Sequence, residues 1–134
     1  VGLSNVTAEQ LEEGLRLGPI ATVENMFGYA QRTTLTHAHG ANPGGAEVLH
    51  LCEQHQLPLI PFFSLLHALP KQLSKIEALA REYNVTPAQL NIAWLLHYSP
   101  WLLPIPGTSS LDHLLENLDA RNVKLSAEEM AYLG

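Results

Sequence analysis

The sequence predicts an α/β protein built on a parallel sheet, and three observations lead there. Four strand-length runs are apolar along their length instead of alternating, as strands covered on both faces are. Between them lie segments of helical spacing with recognisable start signals. Hydrophobic residues make up 46% and charged residues 15% of 134 residues, the composition of a single globular domain with a core of its own. Strand, helix, strand, helix is the order of βα units, each with a right-handed crossover. About four such units are expected. At this level a doubly wound sheet and a barrel are equally compatible with the pattern.

Taken in order, "VGLSN" reads as the end of a buried strand, closing in small polar residues. "TAEQLEEGLRL" follows with Thr7 and Gln10 at capping-box spacing and Leu11 and Leu15 on one face, and Gly18-Pro19 stops it. "IATVEN" is a second strand, uncharged until Glu24. "AEVLHLCEQH" is helical, with Val48, Leu51, Cys52 and His55 sharing a face. "LPLIPFFSL" is a third strand whose prolines predict a bend at each end. "LSKIEALAREY" aligns Leu73, Ile76, Leu79, Ala80 and Tyr83 on one stripe, and "TPAQLNIAWLLHY" opens with Thr86 as N-cap, Pro87 at the first helical position and Gln89 at the third. "WLLPIPG" is the fourth strand, and "SSLDHLLENLDA" the helix after it, with Leu111, Leu114, Leu115 and Leu118 expected to face inward. "SAEEMAYL" ends the chain as a short capped helix.

Residues 28–45, "GYAQRTTLTHAHGANPGG", show no period and form a long loop of the kind that is usually functional or mobile. His37 and His39 lie in it, but an HxH spacing without supporting cysteines is unspecific, and His50 and His55 fall on different helical faces, so no metal is expected. Cys52, the single cysteine, precludes an intrachain disulfide and points to a reducing, cytoplasmic compartment. Its apolar helical setting reads as buried filler instead of a nucleophile. A net charge of −6 gives no basic field for nucleic acid, and no run is long enough to span a membrane. The chain opens at Val1 within a strand, which predicts that the original N-terminus lies upstream.

Four blocks decide between the two architectures. "GLSN", "TVENMF", "LIPFFSL" and "LLPIPGTSSLDHLLENL", in this order and at these separations, resemble the C-terminal half of an aldo-keto reductase, and the resemblance covers nearly the whole chain. It implies a (β/α)8 barrel of TIM type with about half of it present, because a whole barrel takes about 250 residues. It further implies that residues 1–134 are the cofactor-binding half of an NAD(P)H-dependent reductase of aldehydes or ketones. The catalytic Asp, Tyr, Lys and His of such enzymes belong to the other half and have no match here, so no catalytic residue is assigned; Tyr98, after His97 on an apolar helix, reads as packing.

The resemblance assigns the cofactor contacts residue by residue. Ser4 and Asn5 match the pair that hydrogen-bonds the nicotinamide carboxamide, and a hydroxyl with an amide has the donors and acceptors for it. Glu24 stands where the family usually has Gln; it can accept from the carboxamide NH₂ but cannot donate to its oxygen. Phe62 matches the aromatic on which the nicotinamide ring stacks, with Phe63 as its outward neighbour. Leu65 and His67 match positions that approach the pyrophosphate. Gly107, Thr108 and Ser109 match the residues that face the adenosine 2′-phosphate, ahead of a helix N-terminus that favours an anion. Glu116 and Asn117 match the adenine contacts. Without the family match, Ser110 reads as a helix cap and Glu116 as a solvated charge.

Many relatives carry Lys where Gly107 stands and Arg where His113 stands, so two fixed cations are replaced. NADP(H) is nonetheless expected over NAD(H). The implied partners are a nicotinamide dinucleotide and, only with the missing half, a small carbonyl substrate. The alternative is a non-catalytic half-barrel that self-associates into a homo-oligomer through its open sheet edges.

Overall fold

A computed structural model of the chain describes residues 1–29, 32, 36–37, 40–41, 45–62 and 70–134. Its strands in chain order are β1 (Gly2–Ser4), β2 (Thr22–Met26), β3 (Thr36–His37), β4 (Gly40–Ala41) and β5 (Leu59–Phe62). Three of them form a parallel sheet in the order β1-β2-β5. The register pairs Ser4 with Glu24, Glu24 with Ile60, and Met26 with Phe62. Helix α1 (Ala8–Leu17) links β1 to β2 and α2 (Ala46–His55) precedes β5. Helices α3 (Pro70–Tyr83), α4 (Pro87–Tyr98), α5 (Leu111–Asp119) and α6 (Ala127–Leu133) follow, with a 3₁₀ turn at Ala120–Asn122.

The predicted helix starts form at the expected residues. Thr7 accepts from the Gln10 N–H while Gln10 Oε1 accepts from the Thr7 N–H, and Thr86 with Gln89 and Ser126 with Glu129 repeat this reciprocal box. Helix α4 is apolar nearly all round, and it is accordingly enclosed: it packs against α3, α5, the 3₁₀ turn and α6, with Leu90, Ala93, Trp94 and Leu95 fully buried. Cys52 is fully buried in the core beside Val48 and Leu49, as expected, and burial pushes its thiol up to about 11.

Four expectations need correction. The fourth strand contracts to a single parallel bridge, Leu59 to Leu102, flanked by Leu59 N–H donating to the Trp101 carbonyl and Leu103 N–H donating to the Leu59 carbonyl. The next rung would take the Pro61 N–H to the Leu103 carbonyl, and Pro61 has no N–H to give. Pro61, expected at a bend, lies inside β5. Leu59 turns its N–H and C=O toward Trp101 and Leu103; Pro61, two residues on, addresses the same side, so its missing N–H ends the ladder there. The 28–45 loop contains a small antiparallel pair, β3 with β4.

Burial is the fourth difference. One face of the strands is fully covered and the other partly: Val23, Asn25, Leu59 and Pro61 are buried, while Thr22, Glu24, Met26, Ile60 and Phe62 on the opposite face are half-buried. Likewise the leucines of α5 face outward, Leu111 at 70%, Leu114 at 44%, Leu115 at 57% and Leu118 at 55% exposure. Helical periodicity shows that an apolar face exists; whether another layer covers it is a tertiary matter. Of the described elements, α4 and the 3₁₀ turn pack on α5, and its leucine face lies off those contacts.

Candidate functional site

Parallel strands end together, so the residues at their C-terminal ends form one rim. On that rim, Ser4 closes β1, Glu24 lies in β2 and Phe62 closes β5. Ser4 and Glu24 are register partners and share the open face, as do Met26 and its partner Phe62. Among the described residues the opposite side of the sheet is packed, which leaves these side chains to the half-open side.

Asn5 follows at φ 56, the left-handed region that Asn visits more readily than most side chains. Its N–H donates to the Glu24 carbonyl at 2.9 Å. A residue that the sequence does not single out holds this turn from below. Asn25 is fully buried; its Oδ1 accepts from the Val6 N–H at 3.0 Å and its Nδ2 donates to the Val6 carbonyl at 2.7 Å. A polar amide within an apolar strand is the only signal of it in the sequence. Leu65, His67 and Phe63 lie outside the described residues, as does His39.

The second group gathers around a cleft of about 250 Å³ lined by Gly107, Thr108, His113, Glu116 and Asn117, together with Thr86, Pro87 and Ala88. Five residues assigned from one sequence block therefore meet around one cavity. Ser109 is exposed next to them along the chain but does not line it. The sequence marks the other three only as the start of α4. Their capping box sets the position of that start; its direction toward the 107–113 turn depends on how α4 packs against α5.

Two helix starts thus converge, and their partial positive ends favour an anion between them. Ser110 caps α5, its hydroxyl accepting from the His113 N–H at 3.4 Å. The Thr108 hydroxyl accepts from the Ser110 N–H at 3.1 Å, which folds the turn back on itself. The Gly107 position is open: a Cβ built there meets nothing within 4 Å. Among the lining side chains only His113 can carry a positive charge, and Glu116 brings a negative one.

Three of the four tyrosines are engaged elsewhere. The Tyr29 hydroxyl donates to the Leu133 carbonyl at 2.8 Å, and burial raises its pKa. The Tyr83 hydroxyl lies 2.8 Å from the Lys124 carbonyl and 2.9 Å from a Glu129 carboxylate oxygen. Tyr98 packs on Trp94 with ring centroids 4.7 Å apart and on Phe27 at 5.5 Å, as its helical setting predicts. Arg32 lies over the Trp94 ring at 4.9 Å and the Tyr29 ring at 5.1 Å. Among the described residues, no three His, Cys, Asp or Glu side chains are grouped to hold a metal, and no helix is long and apolar enough to cross a membrane.

The sequence model of the aldo/keto reductase family matches residues 1–134. An uncharacterized oxidoreductase of Schizosaccharomyces pombe is 35% identical over 134 residues, which are 99% of this chain and 40% of that protein. Pyridoxine 4-dehydrogenase of Escherichia coli is 36% identical over 133 residues, 99% of this chain and 43% of the relative. Among solved structures, a thermostable aldo-keto reductase in complex with the inhibitor epalrestat superimposes with a TM-score of 0.83 at 29% identity, over 98% of this chain and 46% of the other. An aldo-keto reductase from Klebsiella pneumoniae in complex with NADPH does so with a TM-score of 0.75 at 26% identity, over 98% of this chain and 45% of the other. The chain therefore spans less than half the length of these relatives, and its sheet and helices correspond to part of their (β/α)8 barrel.

Proposed function

Since the chain belongs to the aldo/keto reductase family, we propose that residues 1–134 are the C-terminal, cofactor-binding half of a barrel that reduces aldehydes or ketones with a nicotinamide dinucleotide. The observation that carries this reading is the meeting of Gly107, Thr108, His113, Glu116 and Asn117 around one cleft between two helix starts. An open glycine, paired helix N-termini and an amide suit a phosphorylated adenosine in shape and charge. At the strand ends, Ser4 and Asn5 would bind the carboxamide, Glu24 would accept from its NH₂, and Phe62 would lie against the ring.

When bound, the dinucleotide supplies hydride; the proton for the carbonyl oxygen is assigned to a tetrad that has no match in this chain. The described residues orient and hold. NADP(H) is the preferred form in this reading, supported by the NADPH complex of the Klebsiella relative and by the helix starts at the cleft. A reducing, cytoplasmic setting accords with the single buried cysteine.

Fluorescence titration of NADPH into the wild-type chain and Phe62→Ala tests the reading. Saturable binding with altered emission is expected in the wild type and weaker binding in the variant. Absence of wild-type binding removes the proposal, and identical titrations remove the stacking role. Steady carbonyl reduction by the purified chain alone would contradict the assignment of the proton donor to other residues.

A second reading, self-association of this half-barrel, is favoured by the outward leucines of α5 and the half-open sheet face. Sedimentation decides it: a compact monomer at all micromolar concentrations refutes it, and a dimer abolished by Leu115→Lys supports it.

A further inference from the structure

We propose that Asn25 is a positioning residue for nicotinamide binding: its buried carboxamide fixes the Ser4–Asn5 turn in the conformation that receives the ring's amide. The inference rests on the cofactor reading above and goes beyond the residues that reading assigns. Strand alternation separates Asn25 from its neighbour. Glu24 points to the open face with Ser4, whereas Asn25 points to the packed face with Val23 and is fully buried. Asn25 therefore acts on a ligand only through the backbone it holds.

That hold is specific. One planar amide takes both the N–H and the C=O of Val6, at 3.0 and 2.7 Å, which fixes both the position and the tilt of the segment. From the other side, the Asn5 N–H is tied to the Glu24 carbonyl at 2.9 Å. Asn5 is thus fastened at both flanks while at φ 56, a left-handed conformation that Asn adopts more readily than most side chains and that these bonds hold in place. A left-handed turn at the two residues assigned to the ligand, held by a buried amide, is the pattern of a preorganised contact.

The chemistry allows few substitutes. Asp at position 25 could accept from the Val6 N–H but would turn a carboxylate oxygen toward the Val6 carbonyl. Ala would leave both partly buried backbone groups without this partner. Either change should let Asn5 relax and carry Ser4 with it, while the cleft at Gly107 and His113, built on α4 and α5, is untouched.

The test separates the two ends of the cofactor. NADPH, reduced nicotinamide mononucleotide and 2′,5′-ADP are titrated into the wild type, Asn25→Ala and Asn25→Asp. Both variants are expected to weaken the mononucleotide by about tenfold or more and NADPH in parallel, with 2′,5′-ADP unchanged within about twofold. Amide exchange at Asn5 and Val6 should quicken in both. Wild-type levels of mononucleotide binding in a folded variant overturn the inference. So does equal loss of all three ligands, or failure of both variants to fold, since each marks a general structural role. A wild type that binds no NADPH removes the cofactor reading as well, so the two failures are distinct.

Discussion

Gly107→Ala separates a glycine kept for folding from one kept for a ligand. The added Cβ meets no protein atom within 4 Å, and Gly107 is not among the glycines with positive φ, so neither crowding nor backbone strain opposes it. Reduced freedom of the unfolded chain should then stabilise the protein by up to about 0.4–1 kcal/mol. For a chain of this size that raises Tm by roughly 1–4 °C. Gly107 lines the cleft, so an added methyl group is expected to hold an adenosine phosphate away from the backbone N–H groups. Loss of one charge-assisted hydrogen bond costs about 1.5–3 kcal/mol, or roughly ten- to a hundredfold in affinity. Scanning calorimetry and 2′,5′-ADP titration by isothermal calorimetry measure the two effects side by side. Unaltered affinity would refute the claim that ligand approaches Gly107, and a marked fall in Tm would show that the glycine serves the fold.

Three other outcomes rest on the same geometry. Tyr29→Phe strips the donor from the Leu133 carbonyl in a buried setting, and urea unfolding should show a loss of about 1–3 kcal/mol; no change would mean that solvent already satisfies that carbonyl. Thr86→Ala removes the N-cap of α4 and should destabilise by about 0.5–2 kcal/mol in the same assay, while Thr86→Ser retains most of it. Cys52 has a folded-state pKa of about 11 against an ordinary 9.0, so the folded state favours the neutral thiol: its contribution is complete below pH 9 and is lost as pH rises from 9 toward 11. Wild type should lose stability across that window more steeply than Cys52→Ala, with tyrosine ionisation common to both; parallel profiles would disprove burial of the thiol.

Much of the chain declares itself locally. Thr7 with Gln10, Thr86 with Gln89 and Ser126 with Glu129 need only three-residue spacing to form their boxes, and each forms. The turn at 107–110 is readable as a cap, and Ser110 is one. Burial of Cys52 and packing of Tyr98 follow from apolar helical settings that short windows contain.

The rest depends on distance in space. Leu111, Leu114, Leu115 and Leu118 carry an inward pattern on an outward face, because their spacing specifies a stripe along the helix and not the layer that covers it. The strand at Leu102 is one bridge long, since Pro61 has no N–H to donate to the Leu103 carbonyl at the next rung. Asn25 reaches nineteen residues back to Val6, and Pro87 at the start of α4 shares a cleft with Gly107 in the turn before α5; no local spacing encodes either approach. Sequence alone determined the βα order, the helix caps and the family blocks, because those rest on neighbours in the chain. The tertiary structure decided which faces stay open, which turn is clamped and which residues share a cleft, because those rest on the packing of strands and helices far apart in sequence.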